Sequence, residues 1–260
     1  MDLVLIGLAA FFTAGLTLFS GFGLGTILMP VFALFFPVPV AIAATAVVHL
    51  ANNLFKFGLM ARDANWRVVL RFGLPAAAAA LLGASLLNWI DSMPVLLGYQ
   101  VGACRFEVTP VKALIGVLIA AFAMLELSSR FQALAFPARL LSLGGAISGF
   151  LGGLSGNQGA LRSAFLLKAG LSKEAFVATG VVAAVIVDAV RLVVYGAGVP
   201  GEHVARSAGI VWPVAVATVC AFTGSYLGKR VLRKVTLRAV QFTVAWAMLL
   251  IGVALALGLA

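Results

Sequence analysis

Residues 152–159 read Gly-Gly-Leu-Ser-Gly-Asn-Gln-Gly and interrupt an apolar run that extends from Leu140 to Leu167. A second glycine-rich stretch, Ser20-Gly21-Phe22-Gly23-Leu24-Gly25, interrupts the apolar run from Leu3 to Phe36 in the same way. Glycine loses little when it leaves the helical region of backbone space, so each stretch predicts a break inside a helical segment. We therefore expect one broken apolar segment in each half of the chain.

The composition around these breaks is that of a membrane protein. Of the 260 residues, 63% are hydrophobic and only 10% are charged, whereas roughly a quarter of a soluble domain is charged. A helix needs about 20 apolar residues to span a bilayer. Six further stretches meet or approach that length: Val38–Met60, Phe72–Ile90, Val111–Leu125, Glu174–Ala197, Ala208–Leu227 and Ala239–Leu259. The sequence predicts an all-α polytopic membrane protein.

The same counts exclude or disfavour other classes of protein. The net charge of +10 comes from basic residues scattered through short connections, which argues against a nucleic-acid partner. The two cysteines, Cys104 and Cys220, are too far apart in sequence to indicate a metal or redox motif. Two His and eight acidic residues give no metal cluster, nucleophile–base pair or phosphate loop, so we expect neither an enzyme nor a cofactor.

The two breaks also mark an internal repeat. When Ser20-Gly21 is aligned with Ser155-Gly156, the same register, without a gap, aligns Asn53 with Asp188 and Lys56 with Arg191. We predict two repeats, residues 1–129 and 130–260, each made of a broken segment and about three transmembrane helices. Such repeats in transporters are commonly inverted, and the substrate site lies where the broken helices meet.

The placement of Lys and Arg favours inversion. If each broken segment enters the membrane and returns on the same side, one face of the protein carries Arg62, Arg67, Arg71, Arg130, Arg139, Lys168, Lys173, Lys229, Arg230, Arg233, Lys234 and Arg238. The other face carries Arg105, Lys112 and Arg206. Because cytoplasmic loops are rich in Lys and Arg, we expect the first face to be cytoplasmic and both termini to lie outside. This arrangement has six full spans, two re-entrant hairpins and a small external hairpin at Val101–Val108.

Polar side chains form a continuous stripe on the helix that begins at Val38. Their spacing of i, i+4, i+7, i+8 and i+11 places them on one face: Thr45, His49, Asn52, Asn53 and Lys56. A stripe of this kind cannot face lipid, since each unpaired polar group there costs several kcal/mol. The alternatives without a functional role are that Lys56 reaches the inner surface, that His49 is an ordinary buried histidine, and that the asparagines form hydrogen bonds between helices.

The matching helix of the second half carries Asp188, Arg191 and Tyr195 on one face, and Arg162 follows the second break. Lys56, Arg162 and Arg191 therefore place three cations at or near membrane depth, against one clear acid. Asp188 and Arg191 could also form a purely structural ion pair. A central Arg costs about 3 kcal/mol on insertion scales, so Arg162 favours a functional role.

The breaks and these cations together predict an anion site. A helix that restarts inside the membrane exposes backbone N–H groups and a partial positive charge at its first turn. We expect the site to include Ser20, Gly21, Ser155, Gly156, Asn157, Gln158 and Arg162, together with Asn53, Lys56 and Arg191. The alternative for the glycines is close helix packing, but packing does not explain the neighbouring Ser, Asn, Gln and Arg.

The glycine-rich motifs resemble those of a known family. Ser20-Gly21-Phe22-Gly23-Leu24-Gly25, which is followed by Pro30, and Ser148–Gly156 are similar to the paired motifs of the TauE/SafE sulfite exporter family, also called the 4-toluene sulfonate uptake permease family. The resemblance covers nearly the whole chain. It implies a bacterial inner-membrane carrier for sulfur-containing anions such as sulfite, sulfonates or sulfoacetate. The family's denser triple-glycine run is replaced here by Gly-Phe-Gly-Leu-Gly and Gly-Asn-Gln-Gly, which leaves the exact substrate and the direction open.

We therefore expect a secondary carrier that gives alternating access to a midplane anion site. A proton or the substrate gradient would drive it, and His49 and Asp188 are the candidates for a coupling proton. The alternatives are a passive anion channel and a non-transporting assembly subunit. The expected partners are a small anion and the lipid bilayer, and a homodimer stays an open alternative.

Overall fold

The structure is a computed structural model that describes residues 2–20, 24–132, 134–198, 208–231 and 237–259. Most of this part of the chain is α-helical. In chain order the helices are α1 (Asp2–Ser20), α2 (Leu24–Ala33), α3 (Val38–Met60), α4 (Trp66–Asp91), α5 (Pro110–Leu127), α6 (Ser129–Gln132), α7 (Leu141–Ser155), α8 (Gly159–Leu166), α9 (Lys173–Gly198), α10 (Val211–Val231) and α11 (Leu237–Ala256). Short 3₁₀ turns precede α4, α7 and α10 at Ala61–Asp63, Ala138–Leu140 and Ala208–Ile210.

Four helical segments are long and apolar enough to cross a membrane. They are Val38–Asp63, Trp66–Asp91, Pro110–Leu127 and Lys173–Ala197, and they coincide with four of the six predicted spans. The other two predicted spans are occupied by α10 and α11, whose described apolar parts are shorter. Large apolar side chains such as Leu82 and Val193 are exposed on the outside, as expected of a surface that faces lipid. The prediction of an all-α polytopic fold is confirmed to this extent.

Helices end at both predicted breaks. In the second half α7 ends at Ser155, Gly156 adopts a left-handed φ of +80°, and α8 begins at Gly159. Glycine is the residue that tolerates this conformation at the end of a helix. In the first half α1 ends at Ser20 and α2 begins at Leu24. Gly21 and the side chain of Ser20 lie outside the part of the chain that the structure describes.

The start of α4 differs from the prediction. The apolar run begins at Phe72, but the helix begins at Trp66, where the side chain of Asn65 accepts a hydrogen bond of 3.2 Å from the backbone N–H of Val68. This cap satisfies one of the free N–H groups at the helix start. Arg67 and Arg71 are therefore exposed residues of the first helical turns and do not belong to the preceding connection.

The hairpin that was predicted between α4 and α5 is present and is longer than expected. Strands β1 (Leu97–Val101) and β2 (Cys104–Val108) pair in antiparallel register, with Leu97 opposite Val108. The prediction covered the second strand and missed most of the first. The hairpin lies over the end of α11, where the hydroxyl of Tyr99 donates to the carbonyl oxygen of Leu257 across 2.6 Å.

Glycines bring α4 and α7 into backbone contact. Three glycines at four-residue spacing on α7 face three carbonyl oxygens at the same spacing on α4, and the facing pairs are Gly145 with Phe72, Gly149 with Ala76, and Gly153 with Ala80. A Cβ atom at any of these glycines would lie 2.0–2.3 Å from the facing oxygen. The residue numbers increase in the same direction along both rows, so the two helices run parallel. This packing confirms the small-residue alternative for part of the glycine-rich segment.

The remaining helices form pairs around a polar centre. α1 packs against α10, α5 against α11, and α9 against both α3 and α4. The short helices α2 and α8 lie against α3 and α9, respectively. Buried apolar residues of α2, α3 and α5, including Phe32, Ile42 and Ile115, belong to the largest hydrophobic cluster. The helices that flank the breaks therefore meet the helices that carry the polar stripes.

We predict that Gly149→Ala lowers the thermal unfolding temperature of the detergent-solubilised protein by several degrees. The added Cβ would lie 2.0 Å from the Ala76 oxygen, so α4 and α7 must separate; overpacking of this kind typically costs about 1–3 kcal/mol. Gly58→Ala on α3 is the matched control, because no heavy atom lies within 4 Å of the position that its Cβ would take. Equal unfolding temperatures for the two variants would contradict the packing argument.

Candidate functional site

A cavity of about 40 Å³, counted as the space open to the centre of a water-sized sphere, lies between the starts of α2 and α8 and the polar stripe of α3. Its wall is built from the first turn of α2, one face of α3, the start of α8 and the first turns of α9. The described residues that line it are Leu24, Gly25, Thr26, His49, Asn52, Asn53, Lys56, Gly156, Gln158, Gly159, Arg162, Ser163, Leu166, Phe176, Val177, Gly180 and Val181. None of these lining residues is Asp or Glu.

Two buried cations face this cavity. Lys56 on α3 is 4% exposed and Arg162 on α8 is 6% exposed. The enclosure of the Lys56 side chain argues against the alternative in which it only reaches the inner surface. In a medium of low dielectric constant a nearby anion gains far more from these charges than it would in water.

Asn52 holds the ammonium group of Lys56. Only one orientation of the Asn52 amide satisfies both of its polar atoms: the nitrogen donates to Ser225 Oγ at 2.8 Å, and the oxygen accepts from Lys56 Nζ at 3.2 Å. Ser225 belongs to α10 and is buried. Lys56 is thus positioned by a neutral amide that is itself held by a helix of the second half.

The start of α2 meets the break of the second half at the cavity. A Cβ atom on Gly25, in the first turn of α2, would lie 3.1 Å from the carbonyl oxygen of Gly156. The first turns of α2 and α8 both line the cavity, and no side chain caps the start of α8 at Gln158. Helix starts carry free N–H groups and a partial positive charge, so both add to the attraction for an anion.

A single carboxylate, Asp188 on α9, organises the polar groups behind the cavity. Its Oδ2 lies 2.6 Å from Nδ1 of His49, and its Oδ1 lies 2.7 Å from Nη2 and 3.0 Å from Nε of Arg191. Gln158 Nε2 donates to the same Oδ1 at 3.4 Å. Asp188 and Arg191 are both fully buried. The ion pair that was one alternative for these residues is present.

His49 connects this cluster to the cavity wall. Asn53 Nδ2 lies 3.1 Å from Nδ1 and 3.4 Å from Nε2 of the imidazole, and Nδ1 lies 2.6 Å from Asp188. Which ring nitrogen donates depends on the tautomer. His49 and Asn53 both line the cavity, whereas Asp188 does not, so His49 lies between the cavity and the buried carboxylate.

The structure brings together many, but not all, of the residues predicted for the site. Arg162, Gln158, Gly156, Asn53, Lys56 and His49 line the cavity. Ser155, Asn157, Asp188 and Arg191 are buried nearby and are not among the described lining residues. Ser155 Oγ donates to the Leu151 carbonyl at 2.9 Å within its own helix. Ser20 and Gly21 lie where the structure gives no side-chain description.

Sequence reasoning missed the apolar side of the cavity. Phe176, Val177, Gly180 and Val181 of α9 contribute this wall, and Thr26 and Ser163 add two hydroxyls. Gly180 precedes Asp188 by eight residues, so helical spacing places it near the same face. That spacing was the available signal, but apolar residues in an apolar helix do not stand out. Among the described residues, no group of three or more His, Cys, Asp or Glu could hold a metal ion.

Comparison with known proteins gives one match. The model of the family described as sulfite exporter TauE/SafE matches residues 3–255, which is nearly the whole chain. No curated protein and no solved structure shows a significant match to this sequence. The resemblance that the glycine-rich motifs suggested is therefore confirmed over both halves of the chain.

We predict that Asp188→Leu strongly destabilises the protein, because Arg191 would stay buried without its carboxylate. Removing one partner of a buried pair typically costs about 3–5 kcal/mol. The double variant Asp188→Leu/Arg191→Met should lose clearly less than the sum of the two single variants, since it removes both charges. Unfolding of the detergent-solubilised variants measures this coupling, and strictly additive losses would refute it.

Proposed function

We propose a substrate and a mechanism for this chain. It belongs to the sulfite exporter TauE/SafE family of membrane transporters, since the model of that family matches residues 3–255. The substrate is a small sulfur-containing oxyanion of the sulfite or sulfonate type, and the protein carries it across the membrane by alternating access. The observation that carries this proposal is the cavity between the breaks, where Lys56 and Arg162 face the interior and no described lining residue is acidic.

The donors around the cavity suit an oxyanion. Arg162 presents several N–H groups in a fixed plane, and the amides of Asn53 and Gln158 and the hydroxyls of Thr26 and Ser163 add further donors. Each oxygen of a sulfur oxyanion can accept more than one hydrogen bond. Together with the two helix starts, these groups replace the water that the anion loses on entering the membrane.

An inverted repeat supports the alternating-access part of the proposal. In the alignment of Ser20 with Ser155, the ends of α1 and α7 coincide, and so do the starts of α2 and α8 and the starts of α3 and α9. The matching helices α3 and α9 run in opposite directions: the end of α3 lies beside the start of α9, where the N–H of Asn65 donates to Thr179 Oγ1 at 3.0 Å. We assign residues 1–129 and 130–260 to the two repeats, with the broken segments re-entrant.

The basic loops indicate which side of the membrane the cavity faces. Its wall runs along α3 from His49 to Lys56, towards the end of the helix that Arg62 follows, and it includes Phe176 near Lys173 at the start of α9. We place these basic loops in the cytoplasm of a bacterial cell and both termini outside. In this arrangement the described cavity faces the cytoplasmic half of the membrane.

The contact between His49 and Asp188 suggests proton coupling. The imidazole lines the cavity and lies 2.6 Å from a carboxylate that is also paired with Arg191. Protonation of His49 would add positive charge directly beside the anion. Substrate and proton would therefore favour each other in the cavity, which is the requirement for moving them together.

We predict that Arg162→Gln raises the half-saturation concentration for sulfite counterflow in proteoliposomes by roughly 10- to 100-fold, the range expected for losing a hydrogen bond to a charged group. Thiosulfate and a small organosulfonate are assayed in parallel. Arg67→Gln is the matched control, because Arg67 is exposed at the start of α4 and its loss removes the same charge.

Three outcomes would overturn the carrier proposal. Normal counterflow in Arg162→Gln, or no movement of any sulfur oxyanion by the folded wild-type protein, would contradict the proposed anion site. Flux that does not saturate and is not accelerated by unlabelled anion inside the vesicle would instead identify a passive channel.

We predict that His49→Gln abolishes the acceleration of net anion movement by an imposed proton gradient while sulfite counterflow continues. Counterflow exchanges one anion for another and needs no net proton movement, so the two assays separate coupling from binding. The reference is wild-type protein with the gradient collapsed by a protonophore. An unchanged acceleration in His49→Gln would exclude His49 as the coupling group.

A further inference from the structure

The second half of α9 contacts the C-terminal end of α7, immediately before the break. Arg191 Nη1 donates to the carbonyl oxygen of Gly152 at 3.2 Å, and the hydroxyl of Tyr195 donates to the carbonyl oxygen of Gly153. Both side chains are buried, with Arg191 fully enclosed and Tyr195 3% exposed. Tyr195 has no part in the cavity wall, and its contact with α7 was not anticipated from the sequence.

The carbonyl oxygen of Gly153 needs a partner from outside its own helix, and that of Gly152 can take a second donor. The last four carbonyl groups of an α-helix have no ordinary intrahelical partner, and inside a membrane no bulk water is available to replace it. Gly152 also accepts the backbone N–H of Gly156 at 3.0 Å, which closes the left-handed turn. Arg191 adds a positive charge at the negative end of the α7 dipole, so the contact is favourable in both respects.

The glycine at the break leaves room for the side chain of Arg191. A Cβ atom on Gly156 would lie 3.0 Å from Arg191 Nη1, and the φ of +80° also disfavours any residue with a side chain. Gly156, Gln158 and Gly159 also line the cavity. The guanidinium group therefore touches a residue that belongs to the cavity wall.

We infer that Arg191 and Tyr195 are positioning residues that hold the break between α7 and α8, and that Arg191 does not bind the anion. The inference rests on the proposed function for the site that the break serves. Nε of the guanidinium donates to Asp188 and Nη1 donates to Gly152, Nη2 lies 2.7 Å from the same carboxylate, and Arg191 is not among the residues that line the cavity. Asp188 links this clamp to His49 and Gln158, so the clamp and the cavity share one network.

Tyr195→Phe tests the clamp with the smallest change, because it removes one hydroxyl and keeps the ring. Hydrogen–deuterium exchange is measured in nanodiscs at the backbone N–H groups of residues 156–162. We expect exchange there to rise roughly two- to tenfold, the ratio that corresponds to one lost hydrogen bond. The half-saturation concentration for sulfite counterflow should rise by a similar factor, with the maximal rate kept.

Arg191→Lys provides a second variant. An ammonium group can still pair with Asp188, but it lacks the planar fork that also reaches Gly152. We expect the same rise in exchange and in half-saturation concentration. The matched control is Tyr99→Phe, which removes a tyrosine hydroxyl from another helix end, at Leu257, away from the cavity. It should leave both measurements at the break unchanged.

Unchanged exchange at residues 156–162 in Tyr195→Phe would overturn the inference whatever the transport result. Faster exchange with an unchanged half-saturation concentration would also overturn it, because the clamp would then hold the break without positioning the anion site. If the wild-type protein moves no sulfur oxyanion, the proposed function fails, and the exchange comparison alone still decides whether Tyr195 holds the break.

Discussion

One buried carboxylate holds the polar centre of this protein together. Asp188 contacts His49 on the first polar helix, Arg191 on its own helix and Gln158 at the break. Charges and free backbone groups are expensive inside a bilayer, so each must find a partner within the protein. Because a single carboxylate meets three groups from three elements, the positions of α3, α9 and the break depend on one another. The cavity lies where these elements leave space between them.

The cations of this centre divide into two kinds. Arg191 is neutralised by Asp188 and used to hold the backbone of the break, whereas Lys56 and Arg162 face the cavity. A carboxylate among the lining residues would have cancelled the attraction for an anion, and the described wall has none. The helix starts of α2 and α8 add partial positive charge at the same place. Attraction for an anion is thus a property of the whole wall, while the structural charges lie behind it.

Sequence reasoning succeeded where polar residues and glycines stand out against an apolar background. It located the break after Ser155, the polar stripe of α3, and the pairing of Asp188 with Arg191 as one alternative. It failed where the signal is absent from composition. The start of α4 was placed at Phe72 because Arg67 and Arg71 interrupt the apolar run before it, and the wall of α9 around Gly180 looks like any apolar helix. The contacts of Ser225 with Asn52 and of Tyr195 with Gly153 could not be predicted either, since helix pairing decides which distant residues meet.

One pair of equivalent positions differs in charge between the two proposed repeats. In the register that aligns the two breaks, Lys56 corresponds to Arg191, but the position that corresponds to Asp188 carries Asn53. An amide can orient a neighbouring group without cancelling a positive charge, whereas a carboxylate does both. In the second half the cation, Arg191, is paired with the carboxylate of Asp188. In the first half the equivalent cation, Lys56, faces the cavity beside Asn52. The two equivalent cations therefore differ in their surroundings, since Arg191 is paired with a buried carboxylate and Lys56 contacts a neutral amide.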